Sequence, residues 1–189
     1  MTKTAVATMV NGVDVEKLFE TVQNMKAMPG LADFKFRLQN RWLQCGHNRS
    51  TVQNVYGAGQ EQPPRATPFT VDADEPQLLL GTDKAPNPVE YLLHALAACV
   101  TSSIVYHAAA RGIRIQSIES RLEGDIDLRG FLGIDDSVPR GYKEIRMKFK
   151  IKADAPQEKL EEICRLGPRY SPVFDTVTRA VKVDVSLDR

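Results

Sequence analysis

The sequence predicts an α+β fold of antiparallel strands and a few helices, and three observations carry that prediction. Ile145, Met147, Phe149 and Ile151 alternate strictly with Arg146, Lys148, Lys150 and Lys152, the period of two that marks a half-exposed strand. Ile118, Leu122, Ile126 and Leu128 share one strand parity just upstream, with a loop from Gly130 to Gly141 between the two runs. Between Asn87 and Gly112 lies an apolar segment long enough for a helix and bounded by helix start and stop residues. A chain of 189 residues suits one domain, here residues 31–189, preceded by a small N-terminal helical appendage over residues 1–30.

Taken in order, Val13, Leu18, Val22 and Met25 fall at helical spacing before Pro29-Gly30, so residues 14–27 are expected to form an amphipathic helix. Phe34, Phe36 and Leu38 alternate with Lys35, Arg37 and Gln39, and Cys45-Gly46-His47-Asn48 supplies a turn before Thr51-Val52 and Val55-Tyr56, which reads as a hairpin. A loop rich in Pro and Gly, residues 57–68, leads to a short strand over residues 69–71 and then to Leu78-Leu79-Leu80. Asn87 caps the long helix and Pro88 takes its first position, where the missing N–H is no loss; Gly112 stops it after Arg111. Leu92, Leu93, Ala95, Leu96, Ala97, Ala98, Val100, Ile104 and Val105 leave almost no polar face, so protein should surround this helix on most sides, more cover than a short chain readily supplies. Pro156 opens an amphipathic helix with Leu160, Ile163 and Leu166 that ends near Gly167. Ser171-Pro172 starts a short helix through Thr178, and Val181, Val183, Val185 and Leu187 alternate as a final strand.

Composition excludes several classes. Lys and Arg total 25 against 24 Asp and Glu, a net charge of +1, so there is no basic stripe for nucleic acid. Cys45, Cys99 and Cys164 are odd in number and far apart, unlike the framework of a small secreted protein, and Met1 to Val10 show no targeting pattern; a cytoplasmic protein is expected. The apolar stretch from Tyr91 to Tyr106 is broken by His94, Thr101, Ser102 and Ser103 and falls short of the roughly 20 residues a bilayer needs, so a core helix is expected and no membrane. His47, His94 and His107 match no metal-ligand spacing with the cysteines, and no C-x-x-C pair occurs. Gly57-Ala58-Gly59 lacks the ending of a phosphate loop, and no nucleophile elbow is present. Neither metal nor cofactor is expected.

The most suggestive chemical feature is Cys99, a lone thiol in the long apolar helix, where the ordinary role of cysteine is a small buried hydrophobe. Asn87-Pro88-Val89-Glu90-Tyr91-Leu92, followed by Ala95-Leu96-Ala97-Ala98-Cys99, resembles the signature of the OsmC family, which includes the organic hydroperoxide resistance proteins. The order of elements from about Phe34 to Leu187 resembles that family as well. The resemblance implies an intertwined homodimer, with long central helices packed together between antiparallel sheets and sites at the dimer interface. In peroxidase members it implies a thiolate that attacks a hydroperoxide, a second cysteine that resolves the sulfenic acid, and an Arg and a Glu that assist.

Carried onto this chain, Cys99 matches the first cysteine. The arginine fits Arg49 best, with Arg41 as a rival that spacing does not exclude, and a solvated arginine at a strand end is the plain alternative. Two positions depart from the pattern. The family glutamate directly follows Asn-Pro, where this chain has Val89; Glu90 is turned about 100° further round a helix, away from Cys99, and is weighed as a catalytic carboxylate against a helix-start carboxylate favoured by the dipole. The family's Cys-Pro is here Ser171-Pro172, and serine forms no disulfide: it caps the helix or hydrogen-bonds to the Cys99 sulfur. Cys45 or Cys164 would have to resolve instead, though Cys164, between Ile163 and Leu166, also reads as a buried spacer. Two functions follow: a thiol-dependent hydroperoxide reductase of oxidative stress defence, working in a one-cysteine cycle resolved by an external thiol, or a non-peroxidase scaffold that binds a small apolar or electrophilic ligand. A third, another reaction using Ser171, His94 or Glu90, has no arrangement in its favour.

Overall fold

A computed structural model describes residues 8–188, which form two compact units, residues 14–92 and residues 8–13 with 93–188. The chain opens with β1 (Met9–Val10) and β2 (Val13–Asp14), joined through Asn11 and Gly12, both at positive φ, the backbone an Asn-Gly hairpin turn requires. The Asn11 side chain donates to the Ile113 carbonyl at 2.9 Å and accepts from the Ile115 N–H at 2.8 Å.

In the first unit α1 (Val15–Ala27) forms as the periodicity predicts, and the Asp14 carboxylate caps it by accepting from the Lys17 N–H at 3.1 Å. The expected hairpin is β3 (Leu38–Gln44) and β4 (His47–Val52). After the small ladder of β5 (Tyr56–Gly57) and β6 (Gln60–Glu61), β7 (Phe69–Ala73) adds to it, giving an antiparallel sheet in the order β3-β4-β7. The first strand begins at Leu38, later than the alternation suggests: Phe34 and Phe36 lie outside it, their rings stacked at 6.1 Å. Register gives this sheet two unlike faces. Leu38, Val52 and Phe69 form one row of an apolar face that also holds Trp42 and Val71; Arg41, Arg49 and Asp72 form a row of the opposite, polar face.

The second unit is built on α2 (Pro88–Ala109), which starts in the first unit and ends before Gly112 at φ +70°. Behind it β8 (Ile115–Ile126) and β9 (Tyr142–Ala153) pair antiparallel, with Ile118 opposite Ile151 and Leu122 opposite Met147, as the two parities predict; α3 (Leu128–Phe131) sits in the connecting loop. The chain continues through α4 (Gln157–Arg169) and α5 (Pro172–Thr178). Leu96, Val100, Ile104, Ala108, Ile113 and Ile163 make the core, with the inward side chains of β8 and β9 packed on it.

Within a single chain α2 is covered along one side only: its buried positions are Leu96, Val100, Ile104, Ala108 and Ala109, while Leu92 and Tyr106 are exposed, because one two-stranded sheet and one helix reach only one side of it. Three expectations change. At 22 residues this helix is long and apolar enough to cross a bilayer, though its buried row belongs to a protein core. Residues 180–188 form no strand, and Val183, Val185 and Leu187 are exposed, since alternation orients side chains but only a paired backbone makes a strand. Finally, α4 runs past Gly167 to Arg169. That glycine is a close approach rather than a stop: a Cβ there would meet Ile104 Cγ1 at 2.6 Å and Val100 Cγ1 at 3.0 Å.

Gly167→Ala should therefore destabilise the protein by about 1 kcal/mol in denaturant melts, an overpacking cost of about 1–3 kcal/mol less about 1 kcal/mol of helix propensity. Ile104→Ala, which removes the facing Cγ1, should be less than additive with Gly167→Ala in the same chain, because the two sites touch.

Candidate functional site

The start of α2 is fixed by a reciprocal capping box. The Glu90 N–H donates to Asn87 Oδ1 at 2.9 Å and the Asn87 N–H donates to Glu90 Oε2 at 2.8 Å, so the Glu90 carboxylate serves the helix end. The preceding loop is wound round the buried Asp74. Its carboxylate accepts from the Thr82 hydroxyl at 2.5 Å and from the N–H groups of Thr82, Lys84 and Glu75 at 3.1, 3.2 and 2.8 Å. The Thr82 hydroxyl above all, and the backbone donors with it, outweigh burial and push the Asp74 carboxyl down to about 2.

On the polar face of the sheet Arg49 forms a two-pronged pair with Asp72, Nε to Oδ1 at 2.6 Å and Nη2 to Oδ2 at 2.7 Å, and His47 Nε2 lies 3.2 Å from Oδ2. The Tyr91 hydroxyl, on the first turn of α2, donates to the Asp72 carbonyl at 2.6 Å. Arg49 and then His47 hold the Asp72 carboxyl well below the usual carboxylate range, and Asp72 in turn raises the Arg49 guanidinium. Arg41 stands directly opposite Arg49 yet has no ion pair among the described residues. Sequence reasoning missed His47, Asp72 and Tyr91 as a group. The alternation of β7 puts Asp72 on a polar parity, but only the register of three strands reveals that it faces Arg49. Cys45, exposed in the β3–β4 turn at φ +51°, donates its thiol to the Leu80 carbonyl at 3.0 Å.

In the second unit Cys99 is half-buried on α2, one residue off the buried row of Leu96, Val100 and Ile104, and none of the described residues hydrogen-bonds to it. One turn on, the Ser103 hydroxyl is buried and has no hydrogen-bond partner among the described residues. Ser171 is 2% exposed, and its hydroxyl accepts from the Phe174 N–H at 3.1 Å, capping α5; no hydrogen bond joins it to Cys99 among the described residues. Cys164 lines a cavity of about 220 Å³ with Phe149, Ile151 and Leu160, and burial pushes its thiol up, against a smaller opposing pull from Arg165. All three cysteines are free. Among the described residues no three His, Cys, Asp or Glu side chains gather as a metal site would need. Of the expected site residues, Arg49 and Glu90 thus lie in the first unit, each engaged by a different partner, and Cys99 and Ser171 lie in the second.

The chain matches the family model described as OsmC-like protein over residues 81–186, a span that includes Cys99 and Ser171 but neither Arg41 nor Arg49, and it belongs to that family. Its structure is similar to an OsmC-like protein from Mycoplasma pneumoniae (TM-score 0.57, 17% identity, covering 76% of this chain and 87% of that one). It is similar also to an OsmC-like protein of unknown function from Vibrio cholerae (TM-score 0.54, 10% identity, 75% and 92%). A third similar structure is an organic hydroperoxide resistance protein from Legionella pneumophila (TM-score 0.50, 16% identity, 76% and 88%). At such identities the likeness concerns the fold. No match was found among curated protein sequences.

Because the Asp74 carboxyl is lowered on folding, it contributes stability that is present above its unfolded value of about 3.9 and is lost as pH falls through about 2. Asp74→Asn should lower the melting temperature at pH 7 and flatten the fall in stability between about pH 4 and 2, as read by thermal melts across that range.

Proposed function

We propose that the protein is a hydroperoxide reductase that works through Cys99 and is regenerated by an external thiol. The observation that carries this reading is the placement of Cys99: an unengaged, half-buried thiol on the long helix of an OsmC-family chain, beside the row that builds the core rather than in it. In this scheme the Cys99 thiolate attacks the distal oxygen of an organic hydroperoxide, the O–O bond breaks, and the departing alkoxide takes a proton to leave as the alcohol. Cys99 is left as the sulfenic acid. One external thiol condenses with it, releasing water and giving a mixed disulfide, and a second thiol displaces the first as a disulfide to restore Cys99. An external reductant is favoured because the serine at the family's second-cysteine position is occupied as a helix cap, and because burial raises the Cys164 thiol. Arg49 is the candidate assisting cation; Asp72, which it grips, balances its charge in a chain that has Val89 at the family's glutamate position.

The working unit in this proposal is a homodimer. Among residues 14–92 the only buried positions are Gly57 and Asp74, while Phe36 is 78% and Trp42 70% exposed, and in the second unit Val185 is 87% exposed. Apolar surface on this scale is what a second copy would cover. Light scattering should give twice the chain mass of 21.1 kDa; a monomer would remove this part of the proposal.

The decisive experiment is consumption of an organic hydroperoxide with a dithiol present. Cys99→Ser should cost at least about a hundredfold in rate, whereas Cys45→Ser and Cys164→Ser should retain turnover. A wild-type protein that consumes no hydroperoxide, and whose Cys99 alkylates slowly, would end this reading. It would leave the ligand-binding scaffold, which the capping role of Ser171 and the apolar Val89 favour.

A further inference from the structure

The polar face of the three-stranded sheet holds an arrangement that peroxide chemistry does not explain. Arg41 on β3 and Arg49 on β4 are directly opposed in register, as are Gln39 and Thr51 in the next same-face row. Like charges opposite one another on antiparallel strands repel unless something between them is negative. Asp72, opposite Arg49 on β7, answers one guanidinium and spends both carboxylate oxygens on its Nε and Nη2. Nothing answers Arg41, which makes no ion pair or side-chain hydrogen bond among the described residues.

The other directly opposed pair of cations in the described ladders, Arg121 and Lys148 on β8 and β9, is unlike this one. It lies between Glu119 opposite Lys150 and Glu123 opposite Arg146, so acid stands on both sides. The row beside Arg41 and Arg49 is Gln39 and Thr51, which are uncharged and have no side-chain hydrogen bond among the described residues. These side chains line an open cavity of about 390 Å³. What points at it is a full guanidinium fork, the remaining Nη1 of Arg49, a hydroxyl and an amide: an excess of positive charge and of donors.

We propose that this face binds a small oxyanion group, a carboxylate or a phosphate, between Arg41 and Arg49. Both groups suit the fork, since two parallel N–H groups meet two oxygens. Arg41 supplies the unbalanced charge and the free fork, Arg49 a second cation already oriented by Asp72, and Gln39 and Thr51 donors for the remaining oxygens. The site shares Arg49 with the reaction proposed above but does not use Cys99, and its readout is binding rather than turnover.

The test is titration of the full chain at low ionic strength with inorganic phosphate in one arm and octanoate in the other, followed by the side-chain Nε–H signals of Arg41 and Arg49 in NMR spectra. Saturable shifts of both signals are expected, and the arm that saturates at lower concentration tells phosphate from carboxylate. Arg41→Gln should weaken binding by about tenfold or more, and Arg41→Lys, which keeps the charge but not the fork, by less. Arg41 is exposed, so both variants should fold; the lysine variant still decides the matter if the glutamine variant does not. The proposal is overturned if neither anion saturates these signals by about 10 mM, an affinity of no more than about 3 kcal/mol, or if the Arg41 variants bind like the wild type.

Discussion

Leu96, Val100, Ile104 and Ala108 stand one helical turn apart on α2, and the packing of the second unit follows from that spacing. The row offers one apolar stripe, so β8 and β9 turn Ile118, Leu122, Met147, Phe149 and Ile151 towards it and leave their charged residues outside. A slip of one residue in that ladder would bury Arg121 and Lys148 and expose the apolar set, which is why the register is firmly held. On its other flank α4 brings Ile163 to the stripe and comes near enough at Gly167 that only glycine fits. Cys99 and Ser103 lie one residue off the same row. They are therefore carried on a rigid helix whose orientation the core fixes, rather than on a loop.

The first unit is held in a different way. With no apolar side chain buried among residues 14–92, its order comes from sheet hydrogen bonds and from two carboxylates close together in sequence. Asp72 gathers Arg49 and His47, and its carbonyl takes the Tyr91 hydroxyl, which ties the start of α2 to β7. Asp74 winds the following loop round itself and so delivers the chain to the Asn87 cap. Polar interactions of this kind set geometry well but contribute little net stability in contact with water, and the exposed apolar face of Leu38, Trp42 and Phe69 is left wanting a cover.

Local signals were the legible ones. The caps at Asn87 and Ser171 and the helical spacing of α1 were readable because each depends on residues within a turn or two of one another. The β8–β9 pair was readable because both strands alternate strictly. What escaped was set by partners distant in sequence. Spacing favoured Arg49 without excluding Arg41, and only register shows how their surroundings differ, since one faces Asp72 and the other does not. Gly167 looked like a helix stop because a sequence cannot show the side chain that approaches it. The alternation of Val181 to Leu187 promised a strand, but a strand is a relation between two backbones, and the pattern specifies only one of them.

The serine at position 171 bears on where any oxidation of Cys99 must end. As the cap of α5, with Pro172 at the first helical position, its hydroxyl satisfies the Phe174 N–H; a thiol there would be a much poorer acceptor, and losing such a cap typically costs about 1 kcal/mol. On the proposed reading, serine rather than cysteine at this position favours the helix at the expense of an internal disulfide. On the same reading Cys164 is a poor substitute, because burial pushes its thiol up and so disfavours the thiolate that attack on a sulfenic acid requires. On the proposed reading, then, the lifetime of oxidised Cys99 depends on whether a small thiol from solution can reach a half-buried position on α2. Access to that helix face, more than any further residue of this chain, would govern turnover.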